Sequence, residues 1–338
     1  MTETLNRVVR LKRRPPPGLP GPETWDIRDE PLAPLKDGEV RVRVRFISIE
    51  APMRHWITPI TAGFFMPVEE GDVMRSADVV GEVVESCNPA YAAGDLAVGM
   101  FGVQLYWTGT PAPTMRKLEA GHHPPERYLG VLGASGLTAY FGMLDVAKVQ
   151  AGETVLVSSA AGVVGALAGQ IGKIKGCRVI GVAGGEKKCR YVVETLGFDA
   201  CIDYKAEDVF EAVPRLAPEG LDVFFDNVGG EILEAALDNL KNHARITLSG
   251  AISEYNDIAN AKGPRNYLNL RRCRSRMEGF MCPDYADQFE AARREIGGWL
   301  DEGRCTALEH IEEGIDRFPE VMPMLFTGAN FGKLILKL

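Results

Sequence analysis

The sequence has no run of about 18 apolar residues, the length a membrane-crossing helix needs, so no span is expected. It has no Cys-x-x-Cys pair. Its seven cysteines (Cys87, Cys177, Cys189, Cys201, Cys273, Cys282 and Cys305) are odd in number and fit reduced thiols better than a disulfide framework. No group of them has the spacing of a structural zinc site, and no metal is expected. Histidine is scarce; the one adjacent pair, His122-His123, precedes two prolines and reads as loop rather than as metal ligands. Positive charge is in deficit, 38 Lys and Arg against 46 Asp and Glu, a net charge of −8. That balance argues against nucleic acid or an anionic membrane surface as partner. Residues 1–22 are basic and then proline-rich, without the apolar centre of a secretory signal, and a cytoplasmic protein is the expectation. No internal repeat is evident.

A length of 338 residues predicts two domains, each with a sizeable core. In the first third, Val40, Val42, Val44 and Phe46 alternate with Arg41, Arg43 and Arg45, which predicts a strand over 39–48 with one buried and one wet face. The arginine row reads as that solvated face. Further strands are expected at 78–85, with a bulge or close contact at Gly81, and at 96–101. Short strands and turns persist to about residue 125, the pattern of a mainly β, barrel-like domain. The texture changes near residue 128. From 154 onward strands alternate with helices, with later strands expected near 200–203, 221–227, 245–249 and 277–280 and a longer helix near 285–300. That order predicts an α/β doubly wound parallel sheet. The last stretch, 330–338, reads as a strand returning to the first domain.

The stretch from 154 to 188 carries the chemistry. Thr154–Ser159 is a buried apolar strand, Val164, Leu167, Ala168, Ile171 and Ile174 recur at helical spacing, Gly176 suits a helix stop, and Cys177–Ala183 is a second strand. Between strand and helix stands Ala160-x-Gly162-x-x-Gly165, a glycine-rich fingerprint without its first glycine. Gly162 would let a pyrophosphate approach the backbone, and Gly165 would let the helix pack close to the sheet. Amides at the helix start, including those of Val163 and Val164, would face the phosphates. Where NAD proteins usually place an acid at the end of the second strand, this chain has Ala183-Gly184-Gly185-Glu186-Lys187-Lys188. A carboxylate would repel a 2′-phosphate and a lysine attracts one, so NADP(H) is read over NAD(H). Glu186 could pair with a lysine or point to solvent.

These residues resemble a known family. A β-rich domain followed by a nucleotide fold is similar to the medium-chain dehydrogenase/reductases. Within them the chain resembles the zinc-independent branch of prostaglandin (leukotriene) reductases, alkenal double-bond reductases and NADPH-dependent curcumin reductases. The matching stretches are Gly71-Asp72-Val73-Met74-Arg75, Gly136–Tyr140, Ala160–Gly165, Phe225–Gly230, Ser249–Asn256 and Asn330-Phe331-Gly332-Lys333, which span most of the chain. The superfamily's zinc-binding Cys and Gly-His-Glu segments have no counterpart. The resemblance implies a GroES-like catalytic domain over 1–127, completed by about 308–338, and a Rossmann domain over 128–307. It implies NADPH as cofactor, a small enone or enal as substrate and a homodimer formed through the edge of the nucleotide-domain sheet. By the same resemblance Gly162–Gly165 would hold the pyrophosphate, and Lys188 and Tyr204 the 2′-phosphate. Asn227 would line the cofactor cleft, Ser249, Gly250, Ala251, Ile252 and Ser253 would pass the nicotinamide, and Phe280, Met281, Cys282 and Asn330 would close around it.

The implied reaction delivers hydride to the β-carbon of the enone, and negative charge builds on the carbonyl oxygen. Without a metal, a neutral hydrogen-bond donor must meet that charge. Tyr255, a phenol inside the family motif, is the candidate, with the cofactor ribose as a possible partner. One departure concerns the substrate. Relatives commonly carry Asp-Pro-Tyr-Met-Arg in the first domain, and this chain carries Glu50-Ala51-Pro52-Met53-Arg54. Met53 and Arg54 are kept and are expected near the substrate. His55-Trp56, Phe64-Phe65 and Tyr106-Trp107 could bind a bulky substrate or could be core. Two other functions stay open: a metal-free NADP-dependent alcohol/ketone oxidoreductase, and a non-catalytic NADPH-binding protein.

Overall fold

Alternating valines build the strands of the first half, and the computed structural model describes them within residues 5–58, 67–118 and 123–338. Phe64-Phe65 and His122 lie outside the described residues. The chain divides into two units, Met1–Gly130 with Glu309–Leu338, and Val131–Leu308.

In the first unit β1 (Leu5–Leu11) pairs antiparallel with β2 (Trp25–Pro31). A second sheet is built on β3 (Val40–Ser48), β4 (Val79–Ser86), β5 (Leu96–Gly99), β6 (Tyr106–Gly109) and β7 (Arg116–Lys117), all antiparallel to their neighbours. The tail completes it. Strand Lys333–Lys337 runs antiparallel to β3, and strand Glu309–Glu313 runs parallel beside it. Val40, Val42, Val44 and Ile47 of β3 are buried with Leu334 and Leu336 of the tail, so the terminal residues are core and not appendage.

The arginine row of β3 departs from expectation. Arg41 is buried, because it stands in register between Glu85 on β4 and Thr108 on β6. Its guanidinium donates to Glu85 Oε1 at 2.6 Å, to Thr108 Oγ1 at 3.2 Å and to the Ala33 carbonyl. Arg45 bonds Glu82 at 2.6 Å, and Arg43 alone is exposed. The alternation also slips between Val44 and Phe46, where the β3–β4 register shifts, so that Ile47 becomes buried and Phe46 only partly so. Gly81 lies opposite: a Cβ there would stand 2.4 Å from Val42 Cγ1 and 2.8 Å from the Arg43 carbonyl oxygen. Close approach is what that glycine provides.

The second unit holds β8 (Thr154–Ser158), β9 (Arg178–Ala183), β10 (Ala200–Asp203), β11 (Leu221–Asp226), β12 (Leu240–Leu248) and β13 (Arg276–Gly279). Among the described residues these form one parallel sheet in the order β10-β9-β8-β11-β12-β13, the doubly wound arrangement. Strands β8 and β11 are central and read as near-continuous apolar runs because both faces are covered. Strand β12 starts five residues earlier than its sequence suggests. Polar Lys241, Asn242 and His243 open it, and His243 takes a left-handed conformation (φ 66°) where the register against β11 shifts. The expected helix over 285–300 is two pieces: a 3₁₀ stretch Cys282–Gln288, then an α-helix Phe289–Asp301. Tyr285 breaks the helical backbone (φ −109°, ψ 21°), and its ring stacks on Phe141 at 4.4 Å.

Helix α1 (Ala134–Phe141) starts unusually close to the main chain before it. A Cβ on Gly136 would stand 1.7 Å from the Val131 carbonyl oxygen. Gly136→Ala is therefore expected to destabilise the fold by roughly 3 kcal/mol, the upper range for overpacking. Gly298→Ala, on a helix with nothing within 4 Å of the new methyl, should be neutral or slightly stabilising. Thermal unfolding of the two variants checks this, and equal midpoints would refute the close-packing account.

Candidate active site

The loops that follow β8, β9, β10, β11 and β12 all leave the carboxyl edge of one parallel sheet, where open α/β sheets take their ligands. At the end of β8, Ser159 adopts a left-handed backbone (φ 53°) and Gly162 caps helix α2 (Val163–Ile174). The first-turn amides of a helix have no intrahelical acceptor, so Val163, Val164 and Gly165 present donors there. A Cβ on Gly165 would lie 2.4 Å from the Ser159 carbonyl oxygen. The glycine draws the helix against the strand end, as its spacing implies.

The next two loops are laced together. Asp203 Oδ1 accepts from Gly185 N at 2.8 Å and Lys205 N at 3.0 Å, and Tyr204 N donates to the Ala183 carbonyl at 3.2 Å. The Tyr204 ring covers Gly184, where a Cβ would sit 2.8 Å from it. Lys188, on helix α3 (Glu186–Glu194), is half-buried, and burial together with the like charge of Lys205 lowers its pKa. Two cations thus share a place beside an exposed phenol, which fits a 2′-phosphate. Lys205 was not among the expected residues; a lone exposed lysine in a turn carries no sequence signal.

The loops after β8, β11 and β12 meet in one hydrogen-bonded knot. Asp226, fully buried, accepts from Ser158 Oγ at 2.9 Å, Val228 N at 2.9 Å and Gly229 N at 3.0 Å. Asn227 N donates to Ser158 Oγ at 2.7 Å, and Asn227 Nδ2 to the Ser158 carbonyl at 2.8 Å. Ser249 N and Gly250 N donate to the Asp226 carbonyl, Ile252 N to that of Asn227, and Ser253 Oγ at 2.6 Å to that of Val228. Tyr255 folds back so that its Oη accepts from Ala251 N at 3.1 Å and lies over Gly250, where a Cβ would be 2.8 Å away. Burial pushes the Tyr255 pKa up, and the negative charge of Asp226 adds to that. The phenol stays protonated and able to donate.

Of the expected residues, Gly162–Gly165, Lys188, Tyr204, Asn227, Ser249–Ser253 and Tyr255 share that sheet edge. Phe280 and Cys282 follow β13 and pack partly buried with Leu137, Phe141, Tyr285 and Phe289; Met281 lies between them. Met53, Arg54 and Asn330 belong to the first unit. Met53 is fully buried in its core. Arg54 is 1% exposed and donates to the carbonyls of Pro16 at 3.1 Å and Gly18 at 3.2 Å, so it ties the proline-rich segment down. Asn330, also buried, donates to the Gly332 carbonyl at 3.2 Å. Trp56 is core, and Trp107 packs on Phe101 at 5.2 Å. Among the described residues no three His, Cys, Asp or Glu side chains group as a metal site would.

A parallel sheet with a glycine-capped helix after a central strand and lysines after the next two strands is the arrangement in which doubly wound folds take dinucleotides. Residues 7–117 match the family model described as the N-terminal domain of oxidoreductase, and 163–296 that of zinc-binding dehydrogenase. The chain is 38% identical to the NADPH-dependent curcumin reductase of Escherichia coli (strain K12), over 98% of this chain and 96% of that one. It is 34% identical to the 2-alkenal reductase (NADP(+)-dependent) of Nicotiana tabacum, over 99% and 98%. The crystal structure of CurA in complex with NADPH from Vibrio vulnificus superposes with a TM-score of 0.92 at 34% identity, covering 98% of both chains. The protein belongs to the zinc-independent medium-chain dehydrogenase/reductase family.

Proposed function

We propose that this protein reduces the carbon–carbon double bond of α,β-unsaturated ketones or aldehydes with NADPH. Its family makes it an NADP-dependent oxidoreductase of the curcumin, prostaglandin and alkenal reductase type. The double bond as the reacting group, and the roles below, are our reading. The Gly162–Gly165 turn would hold the pyrophosphate, and Lys188, Tyr204 and Lys205 the 2′-phosphate. Asn227 and the 249–253 segment would border the nicotinamide. The bound cofactor supplies a hydride. In the reduction Tyr255 Oη would donate a hydrogen bond to the substrate's carbonyl oxygen as charge gathers there, and a solvent proton on the α-carbon would complete the saturated product.

One observation carries the reading above the rest. The Tyr255 phenol accepts from a backbone amide at the sheet's carboxyl edge, and burial keeps its proton on. An oxygen that already accepts one hydrogen bond is polarised into a stronger donor.

The test is product analysis after incubation with an enone and NADPH deuterated at the transferring position. Saturated ketone with one deuterium at the β-carbon is expected. An allylic alcohol deuterated at the carbinol carbon would make the enzyme an alcohol/ketone oxidoreductase instead. NADPH binding without turnover across a panel of enones would leave a non-catalytic binding protein.

A further inference from the structure

Asp226 is the one carboxylate in the second unit that is both fully buried and built into the site, and the reaction proposed above gives it no direct task. It ends a strand in which Val223, Phe224 and Phe225 before it are all fully buried. No ion pair to it exists among the described residues. Burial pushes its pKa up, and three neutral donors, the amides of Gly229 and Val228 and the Ser158 hydroxyl, work against that shift in favour of the carboxylate. A carboxylate kept in such a place at a desolvation cost of several kcal/mol asks for a reason.

The reason lies in what its partners carry. Ser158 is the last residue of β8, one step before the loop that leads to Gly162. Its hydroxyl, while donating to Asp226, accepts from Asn227 N. Val228 and Gly229 open the turn into the helix Gly230–Asp238. The Asp226 carbonyl accepts from Ser249 and Gly250, which start the segment that ends at Tyr255. Three loops are thus referred to one residue, by side chain on two and by main chain on the third.

We propose that Asp226 is a positioning residue for the reduction: it holds the 227–230 and 249–255 loops, and with them the Tyr255 phenol that its carboxylate faces, in one arrangement. This rests on the reading that Tyr255 is the donor to the substrate. Tyr255 is faced by Gly250 and Ala251 of its own loop and, among charged groups, by Asp226 from the end of β11. Removal of that charge lowers the energy of the phenolate, so the phenol titrates at lower pH.

Asp226→Asn keeps the shape and removes the charge. With ¹³C-labelled tyrosine, and with Tyr255→Phe to assign the resonance, NMR titration reads the phenol directly, without turnover. The expected result is a Tyr255 pKa about one unit lower in Asp226→Asn, the usual size for losing a nearby like charge. A several-fold fall in kcat at neutral pH should accompany it, from looser positioning of the loops, since the phenol stays protonated there, with the KM for NADPH changed by less than about threefold. Ser158→Ala keeps the charge and removes a donor. It should lower kcat several-fold while the Tyr255 titration stays in place, and it tests the positioning role even if the asparagine variant does not fold. An unmoved Tyr255 titration in folded Asp226→Asn, or unchanged kcat in Ser158→Ala, overturns the proposal. Failure of the parent reading looks different. Wild-type turnover by Tyr255→Phe would remove Tyr255 from the chemistry while leaving the effect of Asp226 on its titration intact.

Discussion

Tyr255→Phe is expected to lower kcat by roughly 10²–10³-fold, the loss seen when one preorganised donor to a developing oxyanion is removed. The change deletes a single oxygen. That oxygen is also the acceptor for Ala251 N at 3.1 Å, so one loop bond goes with it, while the ring remains and the loop keeps its bonds to Asp226 and Asn227. Cofactor affinity should therefore stay within about threefold, which separates lost transition-state stabilisation from lost binding. The pH profile should agree. The Tyr255 pKa lies above the ordinary tyrosine value, because burial and Asp226 both disfavour the phenolate. The donor is then present through neutral pH, and its loss appears only as an alkaline fall in rate, above pH ~10. The variant should lack that fall. Steady-state kinetics with an enone and NADPH supply the measurement. Turnover equal to wild type would dismiss Tyr255 as the donor.

The parts of this site that were legible in the sequence are those with a period or a steric reason. The β8–helix–β9 unit follows from a β-branched run, apolar residues at helical spacing and two glycines, and each of these is a local property. NADPH over NADH follows from the absence of an acid at the strand end and the two lysines after it, whereas Lys188 in particular is singled out only by the family resemblance. What the sequence did not disclose is long-range. Arg41 is buried because Glu85 and Thr108 flank it across two strand pairs, and no window along the chain shows that. Asp226 and Ser158 are two polar residues at the ends of two apolar runs, 68 positions apart, and only the parallel register sets them 2.9 Å apart. Lys205 gains its meaning from Lys188, on another element. Polar residues that close otherwise apolar parallel strands are the signal that would have found the knot, since each must meet a partner at the sheet's edge.

Lys188→Ala should raise the dissociation constant for NADPH by roughly 10–100-fold, since a hydrogen bond to a charged group contributes about 1.5–3 kcal/mol. NADH, which lacks the 2′-phosphate, should change by less than about twofold. The contrast follows from where the lysine stands. Burial and the neighbouring Lys205 both lower its pKa, so its charge is held at a cost in the free protein. A phosphate dianion would relieve that cost, and the preference for NADPH over NADH includes the relief. The sign of the pH effect follows. In the protein without cofactor Lys188 loses its proton below the usual lysine value, and the bound form would hold it more tightly. The NADPH preference is then complete at neutral pH and declines as pH rises through the depressed pKa. Lys205→Ala should remove part of the preference and restore part of the Lys188 pKa, because the like charge acting on it is gone. Titration calorimetry with both cofactors, at pH 7 and pH 9.5, measures each quantity. Equal losses for NADPH and NADH in Lys188→Ala would take the lysine away from the phosphate and leave it an ordinary residue of its helix.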